Sequence, residues 1–147
     1  MANHLHKQIR DALKTALTGL TTTGARAYAN RLQPMTDSTL PGLRIFLDTE
    51  EAQGVTIHQP QVQERTLQLA VDCCAKAVSG LDDALDQISK EVEVALAAGI
   101  TIGSKSLQVF YEGMEFTDEQ SDKPVGVKRL RFSVPYTAMS NAPDVLI

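Results

Sequence analysis

The residues able to do chemistry are few, and their spacing argues against catalysis. The three histidines are His4, His6 and His58. His4 and His6 are two apart, so on a helix they do not share a face. With His58 far off in sequence, they do not assemble the ligand set a zinc ion needs. Cys73 and Cys74 are adjacent. In a strand they point to opposite faces, so no disulfide joins them, and both read as reduced thiols. Nothing local supports Cys74 and His58 as a nucleophile and its base, so Cys74 reads as an inert packing thiol. Asp82, Asp83 and Asp86 could suggest a cation site, but two carboxylates on one helix side are too few for a hard cation. Their place at a helix start fits the helix dipole instead. No phosphate loop, nucleophile elbow or zinc spacing is present. The expectation is a protein without catalytic residues, metal or cofactor.

The chemistry that remains is charge. Lys123, Lys128, Arg129 and Arg131 form the main basic cluster. Just before them, Glu112, Glu115, Asp118, Glu119 and Asp122 form an acidic run. Arg129 and Arg131 share a strand face and could meet phosphate or an acidic partner. They could equally be a solvated face balanced by the acids nearby. The candidate assembly contacts are therefore Glu112, Glu115, Asp118, Glu119, Asp122, Arg129 and Arg131.

Elements must position these groups. Leu107–Tyr111 and Leu130–Tyr136 alternate with period two, as half-buried strands do. Between them Glu112–Gly126 reads as a long polar loop, a usual place for contacts that order on binding. Leu5, Ile9, Leu13, Leu17 and Leu20 predict an amphipathic helix over His4–Leu20 capped by Asn3. Ala25–Leu32 is a weak strand candidate, Leu43–Leu47 a stronger one, and Val62–Ala75 a long one. Thr49–Pro60 reads as a polar connection in which Val55–Ile57 could pair briefly. A second helix spans Gly80–Ala98, with Leu81, Leu85, Ile88, Val92 and Leu96 as its apolar stripe. Ser79 and Asp82 suggest a capping box, and Asp86 and Lys90 a pair one turn apart. The expected fold is α+β: a mixed, mainly antiparallel sheet with both helices on one face. Leu13, Leu17, Leu69, Val71, Leu85, Ile88, Phe132 and Val134 should be core.

Composition narrows the function classes. A chain of 147 residues suits one domain, and 43% apolar residues allow it to fold. The net charge of −4 disfavours general adhesion to DNA or anionic membranes. With 5% aromatic residues and no Trp, a stacking platform for single strands is not expected. No apolar signal segment follows Met1, and no apolar run approaches the ~18 residues needed to span a bilayer.

Longer stretches carry a resemblance. They are HLHKQIRDAL, ARAYANRL with LPGLRIFLDTEE, QERTLQLAVD, LDDALDQISKEVEVAL, and GMEFTDEQSDKPVGVKRLRFSVPYTAMSNAPD. Together they resemble the tail terminator proteins of long-tailed phages, the minor tail protein U type, over nearly the whole chain. The resemblance implies a structural virion protein, assembled in the host cytoplasm, that forms a hexameric ring with itself. Such a ring sits on the tail-tube protein at the head-proximal end, stops polymerisation and offers a surface to the head-completion or connector protein. DNA would pass its bore without sequence-specific binding, and no membrane is involved. A head–tail connector or head-closure protein is the nearest alternative. A small ligand-binding or enzymatic α/β domain and a DNA-binding module are rivals of other classes.

Overall fold

The computed structural model describes residues 3–76, 78–119 and 125–147, with only the backbone at 118 and 119. Asp122 and Lys123 lie outside the described residues, as do the side chains of Asp118 and Glu119.

The first helix, α1, is Leu5–Leu17. Leu5, Ile9, Leu13 and Leu17 recur every turn, and all four are fully buried. The cap is His4, not Asn3: His4 Nδ1 accepts from the His6 backbone N–H at 3.0 Å. Asn3 is engaged differently, its carbonyl accepting from the Gln8 side chain at 2.6 Å. The helix stops short of Leu20 because Thr18 is extended and Gly19 follows at φ 92°. β-branched Thr and left-handed Gly both favour leaving a helix.

Three strands follow: β1 (Ala27–Tyr28), β2 (Gly42–Gly54) and β3 (Val62–Lys76). After them comes α2, Leu81–Ala97. The expected capping box is absent; Gly80 stands at the cap with φ 81° and no side-chain bond. A left-handed backbone there needs glycine, so the chain enters α2 by geometry. Four strands close the fold: β4 (Ile100–Ile102), β5 (Lys105–Leu107), β6 (Phe110–Glu119) and β7 (Val125–Met139). The expected final pair is thus four strands, with β4 and β5 forming a separate two-stranded ribbon.

The main sheet has the order β1-β2-β3-β7-β6, and only β1 with β2 is parallel. Both helices pack on one face, as expected. Their stripes meet Leu43, Ile45, Leu69, Val71, Phe132 and Val134 in one core. A second, smaller cluster lies on the other face, where Met35 and Leu40 cover Cys74, Val125 and Val127.

Two segments expected as loops are strands. Thr49–Gly54 continues β2, and from Glu50 on it pairs with Gln63–Leu67 of β3. Its side chains are mostly exposed, so it carries no apolar alternation to read. Likewise most of the expected Glu112–Gly126 loop is hairpin, for β6 pairs with β7 from Phe110↔Ser133 to Glu119↔Val125. A register shift between Tyr111 and Gly113 breaks the period there, and Gly113 has φ 146°. A bulge of this kind hides a strand from a search for alternation. Conversely, Ala25–Leu32 supplies only two strand residues.

Cys73 and Cys74 face opposite sides of β3, one in each cluster, and both are buried. Burial pushes the Cys73 thiol well above its ordinary range. A thiol that is neither exposed nor ionised is a poor nucleophile. Neither cysteine should react with Ellman's reagent in the native protein, and both should react in denaturant. Rapid labelling of one thiol under native conditions would contradict this packing.

Candidate functional site

The face of the sheet opposite the helices carries charge. Alternation along β2, β3 and β7 puts Arg44, Asp72, Arg129 and Arg131 on this side. Asp72 is 1% exposed and lies between two guanidiniums. Its Oδ2 accepts from Arg44 Nη2 at 3.1 Å, and its Oδ1 from Arg129 Nε at 2.7 Å. The hydrogen bonds to Asp72 hold Arg129 above the usual arginine range. Two arginines around one buried carboxylate satisfy the requirement that a buried charge be paired.

The network continues outward. Glu115 Oε1 lies 2.7 Å from Arg131 Nη2 and 3.7 Å from Arg129 Nη1. Glu112 accepts from Ser133 Oγ at 2.5 Å. Arg31 and Arg129 both stand over the Phe46 ring, 5.0 and 5.1 Å from its centroid. A cleft of about 260 Å³ lies among these groups.

The structure thus brings together Glu112, Glu115, Arg129 and Arg131 and pairs them within one chain. Lys128 does not join them. It sits on the helix side and meets Asp86 at 3.0 Å, the position expected of Lys90. Arg44 and Asp72 were missed as site residues. A lone Arg within LRIFL and a lone Asp within LQLAVDCC were the available signals. Nothing local said that these two would face each other.

The helix side holds a second polar group. Glu50 of β2 accepts from His6 Nε2 at 2.8 Å and from the Tyr136 hydroxyl, with Arg65 Nη1 3.7 Å away. Burial, then the bond to Glu50, pushes the Tyr136 phenol above its ordinary range. This group ties the start of α1 to the far ends of β2 and β7. His58 is exposed. Among the described residues no cluster of three His, Cys, Asp or Glu could hold a metal, and no helix is long and apolar enough to cross a membrane.

The remaining feature is an edge. β6 ends the sheet, with no strand beyond it among the described residues. Tyr111, Met114 and Phe116 are all exposed on its helix side. Tyr111 meets Phe132 edge-on with ring centroids 5.7 Å apart. Between the C-terminal part of α2 and the start of β6 runs a groove of about 550 Å³, bounded by Glu93, Ala97, Tyr111 and Phe132. An exposed apolar row on an unpaired edge invites another chain.

One solved chain, in the virion of a native gene transfer agent particle, shares the fold with a TM-score of 0.53, 15% identity and 92% coverage of each chain. No individual curated sequence matches significantly. The family model of phage minor tail protein U matches residues 4–136. With residues 4–136 matched, nearly its whole length, this chain belongs to the phage minor tail protein U family.

Proposed function

We propose that this protein is the tail terminator: a hexameric ring that caps the head-proximal end of the tail tube, ends its growth and offers a different surface to the head-completion protein. The observation that carries the reading is the unlikeness of the two sheet edges. One edge is the two-residue β1 beside β2, and the other is the open β6. A ring closes head to tail by joining two different patches of one chain. A tube stops growing when a ring binds its repeating surface and presents another. The net charge of −4 suits a bore that passes DNA without holding phosphate. The protein works by contact and has no catalytic role.

In this ring, Glu112, Glu115, Asp118, Glu119, Asp122, Arg129 and Arg131 contribute to subunit or tube contacts. Arg129 is a poor choice for charge reversal, because it holds Asp72. Arg131 is exposed and is the cleaner probe. Arg131→Glu with Glu115→Lys should leave the fold intact, raise the salt sensitivity of assembly and lengthen tails in phage particles. Normal tails with this double variant would remove that face from the contacts.

The wider reading is tested by native mass spectrometry and electron microscopy of tails. The expected result is a six-membered ring on the head-proximal tube end, and overlong tubes when the protein is withheld. Tubes of normal length without it would overturn the reading.

A further inference from the structure

The two helices differ in charge and guard opposite edges. α1 carries Lys7, Arg10 and Lys14 against Asp11 alone. α2 carries five acids, Asp82, Asp83, Asp86, Glu91 and Glu93, against Lys90 alone. Their placement is set by contacts. His6 reaches Glu50 on β2, so the flank of α1 bearing His6, Arg10 and Lys14 looks out over the β1–β2 edge. Gln8, on the other flank, bonds the Asp144 carbonyl at 2.9 Å. On α2, Asp86 reaches Lys128 of β7, so the flank of Asp82, Asp86 and Glu93 looks toward β6. Below the Glu93 end of that flank lies the groove floored by Tyr111 and Phe132, with Met114 and Phe116 further along β6. Arg10 and Lys14 make no ion pair among the described residues.

We propose that the groove between α2 and β6 receives the basic stripe of α1 from a second copy of this chain, joining neighbours head to tail. The inference rests on the ring reading and names its lateral contact. Charge complementarity picks the occupant. The groove has one acid, Glu93, on its α2 wall and an aromatic floor, with Asp82 and Asp86 further up the same helix flank; this suits a cationic helix whose aliphatic stems lie on rings while the heads meet carboxylates. The chain supplies such a helix at its opposite edge. Because both helices lie on the same sheet face, lateral apposition of two copies brings α1 of one alongside α2 of the next without crossing the sheet.

The test is complementation by charge reversal. One variant carries Arg10→Glu and Lys14→Glu; the other carries Asp82→Lys and Glu93→Lys. Asp86 is left alone because it pairs with Lys128. Each variant alone should lose rings, with at least a tenfold rise in the concentration needed for assembly, read by native mass spectrometry. An equimolar mixture should regain rings in which the two variants alternate, visible as a single mixed mass. Circular dichroism checks that each variant is folded. If either is not, zero-length carbodiimide coupling of wild-type rings replaces it, and should join peptides of Lys7 or Lys14 to peptides of Asp82 or Glu93 from another copy. Wild-type rings with folded variants that assemble normally, or that fail even when mixed, would overturn this contact and leave the ring reading standing. Coupling confined to other peptides would do the same. A wild-type protein that forms no ring, free or on the tube, would overturn both.

Discussion

Asp72→Ala should destabilise the protein by about 3–5 kcal/mol, the usual result of removing one partner from a buried ion cluster. The side chain is 1% exposed and answers Arg44 and Arg129 together. Removing it leaves Arg44, itself only 6% exposed, beside Arg129 with no carboxylate between them. Equilibrium urea unfolding should show a lower midpoint at unchanged slope. A loss below about 1 kcal/mol would mean that water replaces the carboxylate, a behaviour of surface pairs. Replacing Arg44, Asp72 and Arg129 together by Met, Leu and Met separates stability from assembly. Buried ionic clusters often give way to apolar groups with no loss of stability. The triple variant should therefore fold at least as well as Asp72→Ala. Its ability to form rings then reports what the charges do at the surface.

Phe132→Ala should cost about 3–5 kcal/mol through the cavity it leaves. Among the described residues Phe132 is the largest fully buried side chain, and it joins the sheet to α2 and to Tyr111 of the edge strand. Its ring also forms part of the floor of the α2–β6 groove. The variant should lose stability and also loosen β6, so amide exchange should quicken over Phe110–Phe116 more than over β2. Phe132→Leu should cost less, because most of the volume is kept. Uniform quickening across the sheet would show that the ring supports the core and has no special hold on the edge.

The amphipathic elements were legible in the sequence because burial writes itself as a period. Leu5, Ile9, Leu13 and Leu17 repeat once per turn, as do Leu85, Ile88, Val92 and Leu96, and all of them are core. The long β3 and the alternation of Leu130 to Tyr136 were visible for the same reason. The family resemblance and the α+β class follow from this order of periodic elements. The opposite facing of Cys73 and Cys74 needed only the geometry of a strand.

What stayed hidden was whatever depends on a partner distant in the chain. The second half of β2 and nearly all of β6 are strands because β3 and β7 pair with them, and their exposed or bulged side chains leave no period to read. Asp86 takes Lys128 in place of Lys90 because β7 runs beside α2, and no helical rule contains that fact. The charged face changed most. In sequence, Glu115, Arg129 and Arg131 are acid and base awaiting partners; in the fold they answer one another, and Arg129 turns partly to a buried Asp72. Local sequence determined the two helices, the alternating strands β3 and β7 and most of the core, because hydrophobic burial acts through spacing. Tertiary structure alone decided which charges meet and which edge stays open, because Coulomb attraction and strand pairing act across whatever the folded chain brings together.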